Sequence, residues 1–191
     1  MSSGSKDHEL KELTIERATD TCALHSFKCG QNLVDEVISE LDDYLSNNNL
    51  FLVKDGEEVV ALYCMRKDDH SLFLPSKTKE RMINGLKPMP VGVIDEDQDY
   101  YRSAELSLLA VREDCQRRHI GSIIIEKVMD ELVNERVPNR EFLIVRALDV
   151  KDYSAIPFYR SCGFVSVRVQ EKDACDNSVM MYRVIGKTSE I

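Results

Sequence analysis

The chain has 191 residues, of which 43 % are hydrophobic, so we expect one domain over residues 12–191 behind a flexible, charge-rich tail at 1–11. Lys and Arg total 25 against 34 Asp and Glu, giving a net charge of −9. This charge disfavours nucleic acid and anionic membranes and favours amine-bearing small molecules or peptides as partners. Six cysteines without a CxxC pair, four isolated histidines and no signal or membrane-length apolar segment predict a cytoplasmic protein without a metal site.

The first third of the chain predicts a strand, a helix and a hairpin. Leu13–Ala18 alternates apolar and polar residues, as a half-buried strand does. Apolar residues recur at every fourth position within Asn32–Leu45, which predicts a helix. The turn pair Asp55–Gly56 lies between two apolar runs and predicts a hairpin of strands Leu50–Val53 and Val59–Met65.

The segment 66–101 shows a weaker pattern because prolines and glycines interrupt it. We expect a short helix around Thr78–Ile83 and otherwise loop. A long loop in a compact domain often carries function, so this segment either recognises a substrate or is a plain insertion.

The rest of the chain alternates strands and helices. The predicted elements are a strand at Ala104–Val111, a long helix that ends at Glu135, a strand at Phe142–Leu148, a short helix at Ser154–Cys162, and strands at Phe164–Gln170 and Val179–Val184. This order predicts an α/β or α+β fold, a mixed sheet with helices on both faces.

A polar turn, Gln116–Ser122, joins the strand at Ala104–Val111 to the long helix. The first N–H groups of a helix have no intrahelical partner, and the helix dipole adds positive potential there. The turn is therefore either a phosphate-binding site or an ordinary polar loop, and the residues alone leave both interpretations open.

The turn resembles the Q/R-x-x-G-x-G/A motif of the GCN5-related N-acetyltransferase (GNAT) superfamily, which holds the pyrophosphate of acetyl-coenzyme A (acetyl-CoA). The matching residues are Gln116, Arg117, Arg118, His119, Ile120, Gly121 and Ser122. His119 stands where the first glycine is usual, and Gly121 is retained. The resemblance implies that all seven residues bind the cofactor, with charge supplied by Arg117 or Arg118.

A second segment, Asp152–Phe164, resembles the N-x-x-A-I-x-F-Y-x-x-x-G-F motif of the same superfamily. It implies that Tyr159 lies beside the cofactor and protonates the departing thiolate, whereas a bare tyrosine on a short helix is equally a core residue. The resemblance also implies a cofactor contact by Ser154. Asp152 replaces the usual asparagine.

The strand before the turn resembles that of histone-acetylating members, in which a glutamate takes the proton from the amine. Glu105 matches that position; the alternatives are a solvated residue at the start of the strand, or a water molecule as the base. By the same resemblance, backbone groups of Leu109, Ala110 and Val111 pair with the pantetheine arm as an added strand would.

The resemblance implies a GNAT-like fold, a twisted, mostly antiparallel sheet with a splayed parallel strand pair. It implies an enzyme that moves acetyl from acetyl-CoA to a primary amine by direct attack. Phe27-Lys28-Cys29-Gly30 resembles, more weakly, the opening of the GNAT toxins that acetylate aminoacyl-tRNA. Charged tRNA is thus an alternative acceptor, and a non-catalytic acyl-CoA-binding module is an alternative function. Exposed strands at the C-terminal edge of the sheet would permit a homodimer.

Overall fold

The computed structural model describes residues 13–41, 49–67, 71–90, 94–95, 97–135, 140–167 and 177–186. These residues contain four α-helices, α1 (Asn32–Ser39), α2 (Ser76–Ile83), α3 (Ile120–Asn134) and α4 (Ile156–Ser161). They also contain nine strands, β1 (Leu13–Arg17), β2 (Leu50–Asp55), β3 (Glu58–Arg66), β4 (Ser71–Phe73), β5 (Tyr100–Val111), β6 (Phe142–Val150), β7 (Tyr153–Ser154), β8 (Val165–Ser166) and β9 (Ser178–Val184). The predicted mixed α/β class is confirmed, since β5 and β6 are parallel whereas pairs such as β2–β3 and β6–β9 are antiparallel.

The chain divides into two compact units. The first holds the described residues up to Cys64 together with Leu108–Gly121, and the second holds Met65–Ser107 and the described residues from Ser122 onward. Strand β5 contributes to both. The prediction of one domain over residues 12–191 is not decided by this division and stays a prediction.

In the first unit the hydrogen-bonded strand order is β1-β2-β3-β5. The predicted hairpin is confirmed, with Gly56 at a φ of 67° in the turn between β2 and β3. Helix α1 ends at Ser39 rather than at Leu45. Leu41 lies just beyond the helix and is buried in the core, and residues 42–48 are outside the described ranges. Leu33 and Val37, which share the four-residue spacing, are exposed at 41 % and 42 %, so the spacing predicted the start of the helix but neither its end nor which of its side chains are buried.

The core of the first unit joins α1, the hairpin and the end of β5. The buried members are Ala18, Leu24, Phe27, Cys29, Ile38, Leu41, Leu50, Leu52, Leu62, Cys64 and Ala110. Phe27 and Cys29 of the segment that resembled the toxin opening are therefore core residues.

In the second unit the strand order is β5-β6-β9-β8, while β4 pairs with β5 and β7 with β6. The parallel pairing joins Ser103–Leu106 to Phe142–Val145, although β5 continues to Val111 and β6 to Val150. Of the predicted strand at Phe164–Gln170, β8 includes Val165–Ser166, and residues 168–170 are outside the described ranges.

The core of the second unit includes much of the segment 66–101, for which only a short helix and loop were predicted. The buried residues of this core are Leu72, Leu74, Met82, Ile94, Tyr101, Phe142, Ile144, Val167, Tyr182 and Val184. The segment also contributes strand β4, whose three residues are too few to show an alternating pattern. None of the helices in the described part of the chain is long and apolar enough to cross a membrane.

Candidate active site

The turn before α3 has a backbone that glycine usually adopts. Arg117 and His119 both have a φ of 61°, a left-handed conformation that is unfavourable for residues with a Cβ atom. The family motif places its first glycine at the position of His119, so the backbone accounts for that glycine. Left-handed residues at the start of a helix turn successive N–H groups toward one side, which is typical of an anion-binding turn.

The turn is braced from within the first unit. Gln116 Nε2 donates to the carbonyl oxygens of Cys29 at 2.7 Å and Val111 at 3.1 Å. The Glu113 N–H donates to the Lys28 carbonyl at 3.0 Å. The Gln116 side chain thus joins the turn to neighbouring backbone, whereas the motif suggested a cofactor contact.

Gly30 supports the same turn through its lack of a side chain. Its φ is 78°, and a Cβ atom added there would lie 3.0 Å from Cδ of Glu113. Gly30 belongs to the segment Phe27-Lys28-Cys29-Gly30. Lys28, Cys29 and Gly30 of this segment therefore all pack or hydrogen-bond against Glu113 or Gln116.

Arg112, which sequence reasoning missed, carries a cation at the end of β5. It forms ion pairs with Glu58 at 3.1 Å and Asp114 at 2.6 Å and also donates to the Val59 carbonyl. The hydrogen bond from Arg112 lowers the pKa of Asp114. Glu58 and Asp114 therefore neutralise the charge of Arg112. The Arg117 side chain, by contrast, is exposed to solvent.

The other residues predicted in the turn differ in exposure. The His119 side chain is exposed, Arg118 is half-buried, and Ile120 and Gly121 are buried at the start of α3. Leu109 and Val111 at the end of β5 are half-buried, whereas Ala110 packs into the core of the first unit.

Tyr159 lies on α4 in the second unit, and only 8 % of the residue is exposed. Its ring packs edge-on against Phe164, with 5.5 Å between centroids. Burial raises the pKa of the Tyr159 phenol above its ordinary value, so the hydroxyl keeps its proton at neutral pH. Ser154 is exposed, and its hydroxyl accepts from the Ile156 N–H at 3.4 Å.

A contact within the second unit brings the tyrosine helix to the first turn of α3. Cys162 Sγ lies 3.7 Å from Ser122 Oγ, and Cys162 is the residue that caps the C-terminus of α4. Ser122, predicted from the first motif, and the helix predicted from the second are thus neighbours.

Glu105 lies within β5, five residues beyond its start at Tyr100, and 9 % of the residue is exposed. One carboxylate oxygen lies 3.8 Å from Nη1 of Arg66. In the parallel register Glu105 is the partner of Ile144. Glu105 is therefore not a solvated residue at the start of a strand, which was the alternative interpretation.

A turn with left-handed residues at a helix start is typical of a site that binds a phosphorylated ligand. The model of the acetyltransferase (GNAT) family matches residues 26–164, more than half of the sequence. The chain belongs to the acetyltransferase (GNAT) family. The predicted family, N-acetyltransferase class and acetyl-CoA cofactor are thereby confirmed.

Solved structures share the fold. A bacterial toxin matches with a TM-score of 0.65 at 18 % identity, covering 92 % of each chain. AtaTR bound with acetyl-CoA matches with a TM-score of 0.60 at 23 % identity, covering 91 % of this chain and 94 % of that chain. AtaT complexed with acetyl-methionyl-tRNAfMet matches with a TM-score of 0.62 at 18 % identity, covering 91 % and 95 %. At these identities the likenesses show the fold alone. No curated protein matches the sequence at a significant level.

The residues present fit acetyl-CoA. Left-handed backbone at Arg117 and His119 allows N–H groups to approach phosphate, and exposed Arg117 adds a cation. Within the described residues, no cluster of three His, Cys, Asp or Glu side chains is placed to hold a metal ion.

Proposed function

We propose that this protein transfers an acetyl group from acetyl-CoA to a primary amine of a small molecule or peptide by direct attack in a ternary complex. The observation that carries the proposal is the glycine-type backbone at Arg117 and His119, which opens α3 in a chain of the acetyltransferase (GNAT) family. The bound thioester supplies an activated acyl group with a thiolate as its leaving group.

The proposed cofactor-binding residues lie on β5, the turn and the start of α3. Backbone N–H groups of residues 117–122 and the charge of Arg117 or Arg118 hold the pyrophosphate. Backbone groups of Leu109–Val111 pair with the pantetheine amides. Ser154 is the weakest member of this set, because its hydroxyl accepts from the Ile156 N–H.

Tyr159 acts as the general acid and Glu105 as the general base. The Tyr159 hydroxyl donates to the negative charge that develops on sulfur, and burial keeps that proton in place over the working pH range. A Glu105 carboxylate oxygen takes the proton from the acceptor amine, directly or through water. Nη1 of Arg66 lies 3.8 Å from one oxygen of that carboxylate, an ion-pair contact longer than a hydrogen bond.

The test is an acceptor screen in which free coenzyme A is measured chromatographically for amines, peptides and charged tRNA. For an accepted amine, we expect Tyr159→Phe to lower kcat by about 10²- to 10⁴-fold, the usual contribution of a positioned acid or base. Undiminished turnover in Tyr159→Phe would remove this tyrosine from the mechanism.

A second acceptor, aminoacyl-tRNA, is favoured by the likeness to AtaT complexed with acetyl-methionyl-tRNAfMet. The net charge of −9 opposes it. A mass increase of one acetyl group on charged tRNA, with no amine or peptide accepted, would establish this candidate. Tight binding of coenzyme A without acceleration by any acceptor would instead indicate a non-catalytic module.

A further inference from the structure

Helix α4 is too short to fix Tyr159 by itself. It has six residues, a proline near its start and an alanine as its N-cap residue, which has no side chain that could cap the helix. Isolated helices of this length are not stable in water. The position of the Tyr159 phenol therefore depends on what α4 is bound to.

The C-terminus of α4 ends in a tight hydrogen-bonded turn. The Phe164 N–H donates to the Tyr159 carbonyl at 3.0 Å, and the Gly163 N–H donates to the Arg160 carbonyl at 3.0 Å. Gly163 has a φ of 82°, so this is the Schellman arrangement that ends many helices. It links the backbone of Tyr159 directly to the residues that follow the helix.

Arg183 of β9 holds this turn. Its Nη1 donates to the Cys162 carbonyl at 3.0 Å, a cation placed on the cap of α4. Its Nε would lie 3.6 Å from a Cβ atom added to Gly163, so the guanidinium runs alongside the turn.

The same guanidinium also forms a bidentate ion pair with a carboxylate on α3. Nη1 and Nη2 of Arg183 donate to the two carboxylate oxygens of Glu126 at 2.6 and 3.0 Å. A bidentate pair fixes the orientation of both groups, even though an exposed ion pair contributes little stability by itself. Arg183 thus ties the cap of α4 to α3 at Glu126.

We propose that Arg183 is a positioning residue for acetyl transfer: it holds α4 on α3, so that the Tyr159 hydroxyl is fixed relative to α3 from Ser122 onward. This inference rests on the proposed function of Tyr159. It acts through geometry alone, because Arg183 contacts the backbone of Cys162 and the side chain of Glu126.

The kinetic test compares Arg183→Met with Arg183→Lys. We expect kcat of Arg183→Met to fall about 10- to 100-fold, because displacements near 1 Å cost rates of that size. KM for acetyl-CoA should stay within about threefold, since the phosphate-binding backbone is intact. Arg183→Lys should recover part of kcat, because an ammonium still donates to the Cys162 carbonyl and pairs with Glu126.

Arg140→Met is the matched control. Arg140 also pairs with a helical-end carboxylate, Glu135, and donates to a carbonyl, that of Lys67, but it does not touch α4. Its kcat should equal that of the unsubstituted protein. An equal fall in both methionine variants would show general destabilisation and overturn the proposal.

A readout without ligand follows hydrogen exchange by mass spectrometry in the peptide that spans α4. Arg183→Met and Glu126→Gln should increase exchange of the Cys162 and Phe164 amides and leave exchange in β6 unchanged. Unchanged exchange at α4 would overturn the proposal.

A double-mutant cycle separates this proposal from the proposed function. If Arg183 acts through Tyr159, adding Arg183→Met to Tyr159→Phe should lower kcat little further. Full additivity would overturn the positioning proposal while the acetyltransferase function stands. A Tyr159→Phe variant with normal kcat would instead overturn the proposed function of Tyr159, whatever Arg183 does.

Discussion

His119 lies in a left-handed backbone conformation at a position where family members use glycine. A residue with a Cβ atom is about 1–2 kcal/mol less stable in that conformation than in a right-handed one. The turn therefore stores strain at His119, and Arg117 adds a second strained position with the same φ of 61°. Strain of this kind persists where surrounding contacts fix the backbone, here through Gln116 and Glu113.

We expect His119→Gly to bind coenzyme A as tightly as the unsubstituted protein or more tightly. Glycine adopts the same φ without strain, so the N–H groups of the turn keep their positions for binding. The relief of strain, partly offset by the greater freedom of the unfolded chain, changes stability rather than affinity. His119→Val should bind more weakly and unfold earlier, because a branched Cβ is least tolerated at positive φ. Isothermal titration calorimetry with coenzyme A and thermal unfolding measure both effects.

Arg117→Gly is the control that separates strain from charge. It relieves the same φ but removes an exposed cation, so its coenzyme A affinity should fall, and fall less at high salt. If His119→Gly instead loses affinity as Arg117→Gly does, the imidazole itself contributes to phosphate binding and the backbone explanation is wrong.

The loop from Phe27 to Gly30 contacts the turn through Cys29 and Gly30. Alanine substitutions at two glycines, Gly30 and Gly56, test whether this contact stabilises the turn. Gly30→Ala should lower both stability and coenzyme A affinity, because its new Cβ meets Glu113 at 3.0 Å. Gly56→Ala has a similar φ of 67° but no atom within 4 Å of the new Cβ. It should share the backbone cost of about 1–2 kcal/mol and leave coenzyme A affinity unchanged.

Urea unfolding and calorimetry with coenzyme A compare the two alanine variants. Equal losses in stability and unchanged affinity in both would show that Glu113 moves aside and that the loop does not brace the turn. Restored affinity in Gly30→Ala combined with Glu113→Ala would confirm the collision as the cause.

Elements with a strong local pattern were predictable from the sequence. The hairpin, β6 and β9 begin and end within a few residues of their predicted bounds, because alternation and the Asp55–Gly56 turn are local signals. In the candidate site, motif order predicted the turn and the tyrosine helix. The left-handed conformation of His119 could be predicted only because the family motif has glycine at this position, since histidine by itself does not favour a positive φ.

Features that depend on distant contacts were not predictable. Lysine side chains are almost never fully buried unless paired, yet Lys87 and Lys79 are each less than a tenth exposed. Lys87 is buried because the carbonyls of Ser166 and Val167, some 80 residues away, accept its hydrogen bonds. Gln116 likewise braces the turn through the Cys29 carbonyl, a contact at a separation of 87 residues.

Lys87 joins the segment after α2 to the end of β8, and it should make stability depend on pH. Burial lowers the pKa of the Lys87 ammonium below its ordinary value of 10.5. The unfolded chain then binds more protons between the lowered pKa and 10.5, so the free energy of unfolding rises with pH in that window. Lys87→Met lacks this rise and should be about 1–3 kcal/mol less stable at neutral pH because a buried carbonyl loses its donor.

The measurement is urea unfolding of both proteins from pH 7 to pH 10.5, with the difference in free energy plotted against pH. Other titrating groups are common to the two proteins and cancel. A difference that stays constant with pH would show that Lys87 has an ordinary pKa in the folded state.

The whole molecule carries a charge of −9, and this bears on which acceptor it meets. A negative surface attracts cationic amines and repels the phosphates of tRNA, and both effects are screened beyond about 8 Å at physiological ionic strength. Family membership leaves the acceptor open, since fold does not fix substrate.

The salt dependence of kcat/KM should therefore have a different sign for the two acceptor classes. For a peptide whose reactive amine is flanked by lysines, we expect kcat/KM to fall as sodium chloride rises from 20 to 300 mM (about 20 to 6 Å in screening length). A matched peptide with glutamates in place of those lysines should show the opposite slope at a lower value. For charged tRNA, repulsion predicts a rise with salt. A steep fall of log kcat/KM with log salt would instead mean that several phosphates contact a local cationic surface, and aminoacyl-tRNA would then replace the peptide amine as the favoured acceptor.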